Sequence, residues 1–452
     1  MNALPGIAIV LAFPVLLMLA LRSLQRNGRL QPELARKLFH IGGGLIGLAL
    51  PWLTPQPVEV ILLTCISVAS LYALARGRQL QEYAGKVLSS VGRQSLGDIC
   101  FPISVCVLFL VARQDPPLYY IPLLILTFGD AVAALIGVRY GLKRYLSTDG
   151  HKSVEGSASF FITAFFCAHV WLLLGTNTGR LESLLIAAIL GLLVMMLEAV
   201  SWNGLDNLFI PLASFLLLRV FLRLSAFDLA LRLAATGLLS VFVLVRRGRT
   251  TLNPSGLFGA IFVGYVLWIG GDLRWVLMPA LLLISYRRLS PDSEWDYTPV
   301  HDIHVVLCVC SCGLAYLFLA ETFHRSDLVL PAIIGYAAHL AAIGHVRWKL
   351  NLGTEPSFKV AAATMLMAWL IFYLAYALEV FIHSGLRMDL LFDALFSFLG
   401  VLISVLLYRA ISPPVCTDKP DLRRWRWQAV AAAAGSTAGL IPLGLAAIAR
   451  LH

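Results

Sequence analysis

Apolar stretches of about twenty residues, each long enough to cross a hydrocarbon core and separated by short polar loops, recur along the whole of this 452-residue chain. With 59% hydrophobic and 13% charged residues and a mean hydropathy of +0.82, it lacks the polar surface that a water-soluble domain needs. The fold class that follows is all-α: a polytopic transmembrane helical bundle of roughly sixteen spans. Span boundaries are least sharp within Gly256 to Tyr286 and Leu208 to Val245. No stretch is left over for a large soluble domain.

Charge gives the bundle a direction. The first span, about Leu4 to Leu21, has no basic residue before it and Arg22, Arg26, Arg29, Arg36 and Lys37 after it. The positive-inside rule therefore puts its C-terminal end in the cytoplasm and the N-terminus outside, and argues against a cleavable secretory peptide. Alternation from there places inside the loops holding Arg76, Arg78, Lys86 and Arg93, then Arg139, Lys143, Arg144 and Lys152, then Arg246, Arg247 and Arg249, then Arg287 and Arg288. The net charge of +10 is accounted for by this asymmetry and by anionic lipid, with no nucleic-acid partner implied. No Arg/Ser-rich, acid-poor transit segment precedes the first span, which favours a bacterial inner membrane over a plastid.

The eight cysteines include no Cys-x-x-Cys pair, and Cys308, Cys310 and Cys312 scatter round a helix axis as small apolar filler. His301 and His304 lie at i and i+3, a spacing that would share a face if a helix covers both, and no third ligand is in view, so a metal site there is the weaker reading.

Three polar segments on the cytoplasmic side are the candidates for chemistry. The first is Asp130, in the apolar run Leu118 to Val138; a carboxylate at that depth costs several kcal/mol unless paired, metal-bound or facing a wet cavity. Asp130, Ala134, Gly137 and Gly141 make one stripe, which allows close helix approach or leaves room for a ligand. A helix running to Arg139 puts Asp130 about 13 Å below its cytoplasmic end at 1.5 Å per residue. The second is the loop Gly141 to Ser157, where Lys143, Arg144, Lys152, Ser153, Glu155 and Gly156 offer charge, hydroxyl and helix N–H groups to phosphate oxygens. A basic cytoplasmic loop is the plain alternative. The third, Glu198 to Pro211, concentrates Glu198, Asn203, Asp206 and Asn207, hard oxygen ligands of the kind Mg²⁺ takes alongside water and nucleotide phosphate. Its plain alternative is a capped helix start at Asp206.

Taken together, these segments resemble the phytol kinase and dolichol kinase family. The resemblance rests on Gly129-Asp130-Ala131 with Gly137 and Gly141, on Lys152-Ser153-Val154-Glu155-Gly156-Ser157, and on Glu198-Ala199 followed by Asp206-Asn207 and Pro211. Upstream, Arg36-Lys37-Leu38-Phe39-His40 is similar to the family's Arg-Lys-x-x-His, and Ser95-Leu96-Gly97-Asp98-Ile99-Cys100-Phe101-Pro102 to its segment before the fourth span. The match spans about residues 30 to 245. It implies an integral membrane enzyme that phosphorylates a lipid alcohol (phytol, dolichol, another prenol or diacylglycerol) from CTP with Mg²⁺. Residues 1–245 are then the kinase domain, and no oligomeric state is implied.

Positioning and charge neutralisation dominate phosphoryl transfer, so the chemistry calls for a metal, a cation on the phosphates and a base. The expected catalytic set is Asp130, Lys152, Glu155 and Asp206. Nucleotide contacts are expected from Gly129, Gly137, Lys143, Arg144, Ser153, Gly156 and Asn207, and metal contacts from Asp130, Asp206 and Glu198. Asp130 is left as either metal ligand or base. No Walker or protein-kinase glycine loop is present.

Two alternatives stand beside this reading. Phosphatidate cytidylyltransferases share the plan more distantly but carry a fuller Lys-rich loop and a terminal Asp-Arg-x-Asp, where this chain has Asp206-Asn207. A proton- or cation-coupled transporter would use Asp130 as its ion site, yet residues 246–452 hold no copy of the Gly-Asp-Ala or Lys-x-x-Glu-Gly segments. In that second membrane domain, Thr250 to Ala260 resembles the opening of phytyl-phosphate kinase-like proteins. Further on, where those proteins carry intramembrane acids, this chain has Ala338-His339-Leu340-Ala341-Ala342-Ile343-Gly344-His345. No reaction is expected of it.

Overall fold

The computed structural model describes residues 4–76, 96–148, 150–245, 250–289, 300–385, 389–412 and 422–443. Arg78, Lys86, Arg93 and Ser95, together with Arg246, Arg247 and Arg249, lie outside the described residues. The chain divides into two compact units, Met1–Leu238 and Leu239–His452.

Unit 1 begins with α1 (Leu4–Arg26), α2 (Pro32–Leu53), α3 (Pro57–Arg76) and α4 (Gly97–Ala112). The next span is composite: α5 (Pro116–Leu124) runs through a π-helical turn at Ile125–Gly129 into α6 (Asp130–Tyr140). A hairpin of β1 (Arg144–Ser147) and β2 (Gly150–Ser153) follows, then α7 (Val154–Gly175), α8 (Arg180–Val200), α9 (Asp206–Phe221) and α10 (Ala226–Val245), which carries the division between the units. Unit 2 continues with α11 (Pro254–Gly270), α12 (Leu273–Ser285), α13 (Ile303–Phe323), α14 (Val329–Leu352), α15 (Phe358–Ser384), α16 (Asp389–Ile411) and α17 (Leu422–Ser436).

The expected all-α membrane bundle is what the chain forms, and it is an integral membrane protein. Ten of the described helices are long and apolar enough to cross a membrane, counting α5 to α6 as one. Of the remainder, α4, α9, α11, α12 and α17 are shorter, and α2 opens on Glu33, Arg36 and Lys37. The uncertain stretch Gly256 to Tyr286 resolves as α11 and α12, parted at Gly271-Asp272. The 13 residues of α12 rise only about 20 Å at 1.5 Å each, short of a core about 30 Å thick.

Two features of unit 1 position the polar segments. At the π turn, α2 comes so close that a Cβ on Gly44 would lie 2.1 Å from Thr127 Oγ1, so only glycine admits this contact. The segment between α6 and α7, read above as a loop, is an antiparallel hairpin pairing Arg144 with Ser153 and Tyr145 with Lys152. At the opposite end of the same helices Trp52, Tyr120 and Trp171 stack at 5.8 and 5.9 Å between ring centres. Such a belt marks a membrane interface. Lys37 and Trp52 are about 22 Å apart along α2 at 1.5 Å per residue, so the polar segments belong to the other interface.

Candidate functional site

Asp130 is not alone. Lys37, on α2 and 93 positions earlier, reaches across to place Nζ 2.7 Å from Asp130 Oδ2. Lys37 is 3% and Asp130 15% exposed, so this is a buried ion pair, in which each charge compensates the desolvation of the other. His40, one turn on, lies 3.7 Å from the same carboxylate oxygen, with Nε2 3.0 Å from the Leu126 carbonyl of the π turn. Its ring meets the edge of Phe101 on α4 at 4.9 Å. The widened turn thus supplies a carbonyl that holds the imidazole against the carboxylate. π turns inside α-helices gather at functional sites.

The hairpin docks on the C-terminal end of α8. Ser147 Oγ donates to the Ala199 carbonyl at 3.1 Å, and Lys152 Nζ donates to the Glu198 carbonyl and lies 2.7 Å from Glu198 Oε1. An ammonium is favoured at a helix C-terminus, where unsatisfied carbonyls carry partial negative charge. Burial works against the Lys152 charge, but Glu198 and then Asp206 more than offset it and raise its pKa above the ordinary value.

Asp206 links the two pairs. It lies in the electrostatic field of Asp130, Lys152 and Lys37, and His40 in turn feels Asp206. The turn that delivers it uses Asn203 and Gly204, at φ of 53° and 76°, left-handed conformations that Asn and Gly adopt at least cost. That turn is tied to the start of α4: Leu96 N–H donates to the Asn203 carbonyl and Asn207 Nδ2 to the Gly97 carbonyl, both at 2.9 Å. Arg36, paired with Glu33 at 2.6 Å, adds a further cation in the field of Asp130 and Asp98.

Asp130, Lys152, Glu198 and Asp206 therefore gather at one end of unit 1. Other expected site residues do different work. A Cβ on Gly137 would sit 3.0 Å from Ser153 Oγ, and one on Gly156 3.0 Å from the Ala133 carbonyl, so the small-residue stripe serves close packing of α6 against α7. Gly129 backs onto the Phe160 ring. Ser153 caps α7 by accepting from Gly156 N–H at 3.1 Å. Glu155 accepts from the Lys143 backbone N–H at 3.2 Å. Lys143 and Arg144 stand exposed on the hairpin and form no ion pair among the described residues. Sequence reasoning noticed Lys37 and His40 only as part of a motif and gave them no place in the site. Their spacing of three puts both on one face of α2, and that was the available signal.

Over 192 residues the chain is 31% identical to the phytol kinase of Synechocystis sp., covering 41% of this chain and 78% of that protein. It belongs to the phytol kinase family. A second family relative, the probable phytol kinase 1, chloroplastic, of Glycine max, is 26% identical over 224 residues, 46% of this chain and 71% of the relative. No family model matches the chain, and no solved structure does. Both alignments leave more than half of this phytol kinase family member unmatched.

Among the described residues no group of three or more His, Cys, Asp or Glu stands close enough to form a cage. Mg²⁺ needs only one or two carboxylates besides water and phosphate. Asn207 Oδ1 is buried without a hydrogen-bond partner, and the carboxylate of the preceding residue, Asp206, accepts the Asn207 backbone N–H at 3.0 Å. Asp206 and Asn207 fit such an ion. Glu198 fits less well, because Lys152 already occupies its carboxylate.

Proposed function

We propose that unit 1 is a lipid-alcohol kinase: it transfers the terminal phosphoryl group of CTP to the hydroxyl of a prenol such as phytol or dolichol, or of diacylglycerol, giving a lipid monophosphate. One observation carries the reading. Two lysines, each paired with a carboxylate, share the field of a third acid, Asp206, at one end of an apolar bundle. An apolar alcohol reaches that place from lipid and a nucleotide reaches it from water. The two relatives named phytol kinase support the acceptor class, and CTP comes from the family resemblance.

The lipid hydroxyl oxygen attacks the terminal phosphorus as the bond to the bridging oxygen breaks. Its proton passes to the Asp130 carboxylate, and CDP departs with the electron pair. Lys37 fixes Asp130 and balances its charge, and His40, anchored on the Leu126 carbonyl, orients the pair. Lys152 swings from Glu198 to the phosphates, with Lys143 and Arg144 adding positive charge on the exposed hairpin. Glu155 holds the hairpin's entrance through Lys143, while Gly129, Gly137, Ser153 and Gly156 keep α6 and α7 close enough for the lysines to converge. Mg²⁺ would be held by Asp206 and Asn207 and would neutralise phosphate charge. In this reading residues 1–245 are the catalytic domain, facing the cytoplasm of a bacterial inner membrane, and residues 246–452 carry no assigned reaction.

The direct test incubates purified protein with [γ-³²P]CTP, Mg²⁺ and a panel of prenols, diacylglycerol and phosphatidate. Label is expected in a lipid monophosphate. A folded sample that labels no lipid would sink the proposal, and release of pyrophosphate with a CDP-lipid product would replace it with cytidylyl transfer.

A further inference from the structure

The C-terminal ends of α14 and α16 bring a second set of charges together within unit 2. Val346 and Tyr408 pack in one buried cluster, which sets Arg409 on α16 in the field of His345 and Lys349 on α14. All three converge on Glu355, in the turn between α14 and α15. Its Oε1 takes the Lys349 ammonium and its Oε2 lies 3.4 Å from His345 Nε2, while Arg409 acts on it from a greater distance and forms no ion pair among the described residues.

This arrangement is a seat for an oxyanion that Glu355 fills incompletely. His345 is 8% exposed and its Nδ1 is buried without a hydrogen-bond partner, so the ring is part of the wall and presents Nε2 to the site. Glu355 is 53% exposed. Ion pairs made by so exposed a carboxylate contribute little, and a better-matched anion displaces it. The number of donors says which anion matches. A carboxylate has two oxygens, both already used, whereas Lys349, His345 and Arg409 together call for three acceptor oxygens round one centre. A phosphomonoester presents three terminal oxygens; a phosphodiester presents two. The start of α15, capped by Ser357 two residues after Glu355, adds the partial positive charge of a helix N-terminus. Leu352 and Phe358, exposed apolar side chains that flank the turn, offer contact to a chain carried by the phosphate.

We infer that the turn between α14 and α15 is a binding site for a phosphomonoester, whose three terminal oxygens take Lys349, His345 and Arg409 in place of the Glu355 carboxylate. The site stands on the residues of unit 2 alone. That its ligand is the lipid monophosphate formed by unit 1 rests on the function proposed above.

The test treats the full chain in dodecyl maltoside with acetic anhydride, without nucleotide, and follows acetylation of Lys349 by mass spectrometry. Dodecyl phosphate is expected to slow it about tenfold, and dodecyl methyl phosphate, which lacks the third terminal oxygen, less than about twofold. Inorganic phosphate separates the sources: equal protection by it means a free-phosphate site, and protection by dodecyl phosphate alone means a lipid headgroup. Arg409→Gln should raise the half-protecting concentration about tenfold, and Glu355→Gln, which removes the competing carboxylate, should lower it several-fold, both at wild-type melting temperature. Arg409→Lys keeps the charge and should fall between wild type and Arg409→Gln. Equal protection by monoester and diester would reduce the cluster to a general basic surface and overturn the inference, as would no protection of Lys349 or an unchanged response in Glu355→Gln. Because no turnover is involved, protection in a protein that phosphorylates nothing would leave this site standing and remove only its link to unit 1.

Discussion

Each unit carries polar side chains on a buried helix, and the two handle them in opposite ways. In unit 1 the α5 to α6 span holds a full charge, Asp130, matched by the Lys37 ammonium and flanked by His40. In unit 2 every residue of α14 from Val329 to Arg347 is buried; the full charge in that run, Arg347, stands at its C-terminal end over the Tyr286 ring at 5.8 Å, whereas the polar group at mid-helix, His339, is fully buried and meets the Gln428 amide at 2.9 Å. A neutral imidazole and amide can be buried with a hydrogen bond between them. A buried ion pair is a poor stability device, since apolar residues of similar size usually do as well. Charges kept at such depth therefore point to chemistry in unit 1, and the neutral pair to packing in unit 2.

The sharpest way to break this contrast is to neutralise Asp130. Asp130→Asn keeps the shape but leaves Lys37 buried without its counter-charge, so turnover should fall about 10³-fold and stability by about 3 kcal/mol. Adding Lys37→Met should return the melting temperature toward wild type while turnover stays lost. Phosphotransfer assays and thermal unfolding in detergent read the two effects separately. If the double variant recovers activity, Asp130 is structural and the contrast between the units disappears.

The matching experiment in unit 2 has a smaller effect. His339→Leu alone takes away the Nδ1 partner of Gln428 Nε2 and leaves it only the longer 3.3 Å bond to the His339 carbonyl, which should cost about 1 kcal/mol. His339→Leu with Gln428→Leu removes both partners and should be close to neutral in stability, with lipid phosphorylation within twofold of wild type. A large loss of turnover in the folded double variant would show that unit 2 takes part in the reaction.

What the sequence made legible follows the range of the forces involved. Apolar length alone revealed the helical bundle, because a span is a local property of about twenty residues. Asp130, Lys152, Glu198 and Asp206 stood out because each is a charge or polar cluster where hydrocarbon or its edge is expected. The Lys37 to Asp130 pair did not stand out, since it joins residues 93 positions apart and depends on how α2 packs against the π turn through Gly44. The hairpin was hidden for a different reason. Its four-residue strands carry no apolar alternation, and their pairing is set by docking on the end of α8 through Ser147 and Lys152. Gly137, Ser153 and Gly156 read equally well as a ligand cradle or a packing seam, and only interhelical contact distinguishes the two.

The mildest test concerns a neutral histidine at the edge of unit 2. His301 shares a hydrogen bond of 2.9 Å with Thr251 Oγ1, packs edge-on against Trp425, and faces Arg424 and Asp302. Burial, reinforced by the Arg424 charge and opposed by Asp302, lowers its pKa from the ordinary 6.5 to about 4. The unfolded chain therefore takes up this proton before the folded one. The stabilisation is present above pH 6.5, declines as pH falls below it, and is fully lost once the folded group titrates near pH 4. Between pH 7 and 5.5 the loss should be about 1 kcal/mol. Thermal unfolding at several pH values should show this slope in the wild type and a flatter one in His301→Asn. A like-for-like slope in both proteins would place the pH sensitivity elsewhere. A slope confined to His301 would mean that unit 2 keeps this half-buried histidine neutral beside Arg424, whereas unit 1 holds Lys152 charged beside Glu198.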